Sequence, residues 1–105
     1  MKKYLLPFLF LLALGQGTVN AENIDFTTID ALSYRYYLEK KWDSVIYIGK
    51  KALNQNIDYY YLRVRMGLAY FARNEYIPAS VHLKKAHLAD PADPVIAEYL
   101  YFAYR

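Results

Sequence analysis

The sequence predicts an all-α fold: an antiparallel helix-turn-helix α-solenoid of about two and a half repeats. One observation is a period. Lys50-Lys51-Ala52 returns as Lys84-Lys85-Ala86 after 34 residues, and Tyr36, Tyr70 and Tyr104 recur on the same spacing. The other is the lack of strand signals: the chain of 105 residues has 4 glycines, no Asn-Gly or Asp-Gly turn, and little β-branched content. A repeat unit cannot bury its own apolar face, so stacking of neighbours, rather than a catalytic pocket, organises such a fold.

Residues 1–21 read as a secretory signal. Lys2 and Lys3 give a positive start, Leu5 to Leu14 is almost wholly apolar, and a small, polar stretch ends in Val19-Asn20-Ala21, so cleavage is expected after Ala21. An apolar run of about ten residues is too short to span a hydrocarbon core, which needs about 20. The mature chain is therefore expected to be periplasmic or secreted, with no transmembrane helix. The chain has no cysteine, which excludes a disulfide framework and a cysteine-linked lipid.

Loss of the signal also removes most of the positive charge. Lys2 and Lys3 are 2 of the 13 basic residues and all 10 acidic residues lie beyond Ala21, leaving 11 against 10. With no basic block beyond isolated lysine pairs, nucleic acid is not an expected partner.

After a short linker at 22–25, the first helix is expected over Thr27–Glu39, with Ile29, Leu32, Tyr36 and Tyr37 at helical spacing. Asp43 suits the first turn of a second helix that runs to about Asn54. Asp58 is expected to cap a third helix, from about Tyr59 to Arg73. Pro78 is tolerated only in a first turn, so the fourth helix starts near Tyr76 and runs to about Ala89. Asp93-Pro94 is an N-cap followed by a first-turn proline, and a fifth helix runs on to Arg105.

These residues resemble the tetratricopeptide repeat (TPR), a helix-turn-helix unit of 34 residues. The unit 60–93 carries Met66-Gly67 and Tyr70 on its first helix, then Tyr76, Ala79, Leu83 and Ala86 on its second, and Pro91 at its end. Gly67 is expected to let the two helices approach, with Ala79 and Ala86 as the small residues opposite, so that Gly67→Leu should be costly and Gly67→Ala tolerated. The unit 26–59 matches at Leu32-Ser33, Tyr36, Trp42, Val45 and Ala52. It departs at Gly49, where a large apolar residue is usual, and at Ile57, where proline is usual. The partial unit 94–105 has Leu100 and Tyr104 in register but Tyr101 in place of the small residue.

No catalytic, cofactor or metal site is expected. His82 and His87 are five residues apart, on different helix faces, unlike the i, i+4 pair that chelates zinc. No Gly-x-Ser-x-Gly or phosphate-binding glycine loop occurs. An enzyme is therefore not the expectation.

The resemblance implies a concave groove lined by the first helix of each unit. Its inward positions would be Thr27, Asp30, Tyr34 and Tyr37, then Tyr61, Val64, Leu68 and Phe71, then Val95, Glu98, Phe102 and Arg105. This surface is aromatic and lacks the Lys, Arg and Asn clamp by which some such domains grip a C-terminal carboxylate. The expected function is an exported scaffold that binds a protein or peptide, with Tyr34, Tyr37, Tyr61, Leu68, Phe71 and Phe102 as the contact residues. The alternatives are the N-terminal periplasmic module of a longer envelope protein, with a β-barrel or more repeats beyond Arg105, and an accessory to an enzyme encoded there. The apolar fifth helix, charged only at Glu98 and Arg105, is the reason to expect a longer chain or a docked end.

Overall fold

The computed structural model describes residues 23–104, which form five helices and, among those residues, no strand. Residues 1–22, which include the expected signal and its cleavage point, and Arg105 lie outside the described residues. The helices are α1 (Phe26–Leu38), α2 (Trp42–Asn54), α3 (Tyr60–Ala72), α4 (Tyr76–Ala89) and α5 (Pro94–Tyr104). Each packs on the next in sequence, and α1 also touches α3. The result is an all-α arrangement compatible with a helical repeat.

The 34-residue period reappears in the backbone hydrogen bonds. At the end of α1, Glu39 N donates to Arg35 O (3.0 Å), Lys40 N to Tyr37 O (3.1 Å) and Lys41 N to Tyr36 O (2.9 Å). At the end of α3 the same three bonds run from Arg73 to Ala69 (3.2 Å), Asn74 to Phe71 (2.9 Å) and Glu75 to Tyr70 (2.9 Å). Both turns need a left-handed residue, Lys40 at φ 58° and Asn74 at φ 62°. The second helices of the two units end differently. Asn56 is left-handed at φ 64° and Ile57 N closes the turn onto Ala52 O at 2.9 Å. One period later stands Pro91, which has no N–H to give and pushes Asp90 to an extended φ of −141°. Ile57 is thus a departure from the repeat pattern that gains a hydrogen bond.

One cap differs from the sequence expectation, at Asp58. Asp25 caps α1, accepting from Thr28 N at 2.8 Å, and Asp93 accepts from Val95 N at 3.0 Å in the first turn of α5. Asp58 does not cap α3. The N-cap is Tyr59, without a side-chain bond, because the Asp58 carboxylate is held in a bidentate pair by Arg63, with both N···O distances 2.8 Å. Ahead of α1 the chain is anchored at Ile24: Gln55 Nε2 donates to Ile24 O (2.6 Å) and Ile24 N donates to Gln55 Oε1 (3.2 Å).

The core is a series of three strips, each drawn from successive helices. Ile29, Ile48, Ala52, Leu62 and Met66 join α1, α2 and α3. Val45, Ile46, Ala69, Tyr70 and Ala79 join α2, α3 and α4. Leu83, Ala86, Ile96 and Leu100 join α4 and α5, with Val64 and Leu68 of α3 alongside. Each strip draws its side chains from successive helices, which is how stacked units share a core.

Glycine sets the approach distances. A Cβ on Gly49 would lie 2.5 Å from Met66 Sδ, so Met66 fills the volume that a large residue at 49 would take. Gly67 faces Leu83, not the alanines expected opposite it: a Cβ there would lie 2.5 Å from Leu83 Cδ2 and 2.6 Å from Cγ. Ala79 and Ala86 are buried to either side, in separate strips.

Candidate functional site

The aromatic face is built from i, i+3 pairs, which place two side chains on one side of a helix. Leu68 and Phe71 on α3 and Tyr99 and Phe102 on α5 are such pairs, and they converge. Phe71 meets Tyr99 edge-on with centroids 5.0 Å apart and rings at 88°, and meets Tyr76 at 5.1 Å and 74°. Tyr37 and Trp42 form a further edge contact at 5.9 Å.

Three contiguous clefts share Phe71 as a wall. One of about 260 Å³ lies among Tyr37, Trp42, Leu68 and Tyr99. A second, of about 390 Å³, is lined by Val95, Glu98, Tyr99 and Phe102, and a third, of about 470 Å³, by Tyr76, Phe102 and Ala103. Glu98 is the charged residue among these linings, so the combined surface is apolar with one acidic rim position. It has the form of a socket for apolar side chains.

The expected contact residues divide into two groups. Tyr37, Leu68, Phe71 and Phe102 line the clefts. Tyr34 and Tyr61 do not; they flank Arg65, whose Cζ lies 5.1 Å from the Tyr34 ring centroid and 5.8 Å from that of Tyr61. Arg65 Nη1 also donates to Asp30 Oδ1 (2.8 Å), Asp30 O (3.3 Å) and Ser33 Oγ (2.9 Å), and Tyr59 Oη donates to Asp30 Oδ1 (2.9 Å). The Arg65 hydrogen bond holds the Asp30 carboxyl below the usual range, while burial raises the Tyr59 phenol. Of the other inward positions, Thr27 is exposed, Val64 packs against the third core strip, and Val95 and Glu98 line a cleft.

Arg65 and Tyr99 were not among the expected contacts. They are 34 residues apart and so occupy the same register on the first helices of successive units. At the α1–α3 junction this position carries a guanidinium that fixes the neighbouring carboxylate and rings. At the α3–α5 junction it carries a phenol ring against Phe71, which leaves the clefts open to apolar contact. The period could have identified both.

His82 is a packing residue. Its ring stacks on Tyr70 at 5.5 Å and 3°, and Arg63 Nη1 lies 2.9 Å from Nδ1, so the neutral imidazole accepts from the guanidinium. Burial first, and the Arg63 charge second, lower its pKa to about 4. Among the described residues no group of three His, Cys, Asp or Glu side chains is placed to hold a metal ion, and no helix is long and apolar enough to cross a membrane. No protein-family model, curated protein or solved structure matches the chain.

Proposed function

We propose that this chain is an exported scaffold of tetratricopeptide type that binds a protein or peptide segment through the α3–α5 end of its aromatic face. The observation that carries the reading is the continuous run of clefts around Phe71, bounded by side chains of all five helices. The 34-residue recurrence of turns and capping bonds supports the repeat assignment. The ligand that fits is a segment offering two bulky apolar side chains on one face, as an amphipathic helix does at i and i+3 or i+4. A basic residue beside them would meet Glu98.

Selection of displayed peptides against the chain, followed by titration of the winners, tests this. The enriched peptides should carry paired aromatic or aliphatic residues with a nearby Lys or Arg. Phe71→Ala and Phe102→Ala should each weaken binding by about 2 kcal/mol or more if they act as anchors, while Lys50→Ala should not. Phe71 also packs against Tyr76 and Tyr99, so affinity is compared in the folded fraction. Loss of melting temperature without loss of affinity would assign these rings to the core and reject the reading.

A further inference from the structure

We propose that the outward face of α4, continued by α2, binds the surface of an anionic phospholipid bilayer. This face lies on the second helices of the repeats and is independent of the aromatic clefts. On α4 the exposed residues Ile77 (81%), Val81 (52%) and Leu88 (68%) follow one another at helical spacing, and Lys84 and Lys85 stand between the last two. Val81, Lys84, Lys85 and Leu88 line a depression of about 300 Å³. One period earlier, the same places on α2 hold the exposed Tyr47, then Lys50 and Lys51, with the Lys51 ammonium 5.7 Å from the Tyr47 centroid.

On α4 the charge has one sign, because no acidic residue occurs in that helix. On α2 Asp43 takes the place of Ile77 one period earlier and pairs with Arg73 at 2.8 Å. Lys85 is among the charges that lower the Asp58 pKa, but Asp58 is already held in two bonds by Arg63, and Asp90 lies past the end of α4. Lys50 lies close enough to α4 to lower the pKa of His82 there.

Charge and composition together select the occupant. Exposed aliphatic side chains beside flexible lysines are the pattern of a helix lying in a membrane interface, with ammonium groups at lipid phosphates and methyl groups at the acyl boundary. Protein interfaces are instead depleted in lysine and enriched in aromatic residues and arginine. A second copy is disfavoured because pairing this face with itself would bring lysine pairs together.

Sedimentation of the expected mature chain with vesicles tests the inference, using phosphatidylcholine alone and an equimolar mixture with phosphatidylglycerol. Binding should require the anionic lipid and fall as salt is raised. Lys84→Gln combined with Lys85→Gln should weaken binding by about 25-fold, at roughly fivefold per lysine. Leu88→Ser should weaken it by about tenfold by removing buried methylenes. The chain tested begins at Glu22, so that residues 1–21, basic and then apolar, add no binding of their own, and circular dichroism checks that these surface variants remain folded. Binding indifferent to phosphatidylglycerol overturns the inference. So do lysine variants that bind as tightly as the parent, and a parent that ignores both vesicles while an acidic peptide saturates it.

Discussion

Leu83 closes directly over Gly67. A methyl group on Gly67 would meet Leu83 Cδ2 at 2.5 Å and Cγ at 2.6 Å, with the Leu83 backbone N at 3.3 Å. Leu83 is fully buried, so its side chain has little room to yield. Replacing glycine by alanine in a helix interior normally gains about 1 kcal/mol, but overpacking a well-filled contact costs about 1–3 kcal/mol. Gly67→Ala is therefore expected to lower stability by about 1 kcal/mol, against the tolerance read from sequence, and Gly67→Leu to lower it further. Urea unfolding measures both. The double variant Gly67→Ala with Leu83→Ala should be less destabilised than the sum of its parts, because the added methyl occupies some of the space the leucine leaves. A Gly67→Ala variant more stable than the parent would show that the helices separate freely.

Acid should destabilise the fold in two stages. The folded pKa of His82 is about 4 against an ordinary 6.5, so below pH 6.5 the unfolded chain takes up a proton that the native chain refuses. Stability should fall as pH drops from about 6.5 to about 4. Below that range Asp30 and Asp58, whose pKa values are lowered by their arginine hydrogen bonds, add a further decline. The urea midpoint followed against pH gives the profile. His82→Gln should flatten the upper stage and leave the lower one, and an unchanged upper stage would place its origin elsewhere.

Arg65 is expected to be the most sensitive charged residue at the α1–α3 junction. Its side chain is 12% exposed and serves Asp30, Ser33 and two tyrosine rings. Charge-assisted hydrogen bonds are worth about 1.5–3 kcal/mol, and the half-open Asp30 reduces this to about 1–2 kcal/mol for Arg65→Ala. Arg65→Lys should recover less than half, since an ammonium cannot stack on the rings and donate in the same fork. Chemical denaturation of both variants, with Asp30→Ala to close a double-mutant cycle, measures the coupling. Full recovery by lysine would refute the stacking role.

The turn at Lys40 carries removable strain. Lys40 is exposed and left-handed at φ 58°, a conformation that costs an ordinary L-residue about 1–2 kcal/mol and glycine almost nothing. Lys40→Gly should stabilise the chain by about 0.5–1 kcal/mol after the added chain entropy is subtracted. Asn74→Gly should gain less, because asparagine tolerates this region. Equal gains at the two sites would mean that the turns relax differently from their shared hydrogen-bond pattern.

Local rules acting within one segment are enough to account for the helices. The expected bounds lie within a residue or so of the observed ones for α1, α3 and the start of α5 and coincide at Tyr76–Ala89 for α4, because helical spacing, first-turn prolines and capping residues are properties of adjacent positions. The period, the positions of Pro78 and Asp43, and the aromatic character of one face were also readable. Asp58 was misread because its competing partner, Arg63, is on the next turn of chain and takes the carboxylate away from the helix end. What tertiary structure alone decided is which equivalent residues become core and which become surface. Tyr70 is buried while Tyr104 is exposed, Met66 fills the space above Gly49, and the register shared by Arg65 and Tyr99 makes a sealed junction in one place and an open cleft in the other. A sequence period fixes the direction in which a side chain leaves its helix. The distance to the helix it meets depends on small residues such as Gly49 and Gly67 and on the volume of the side chain opposite, and those partners are joined only when the units stack.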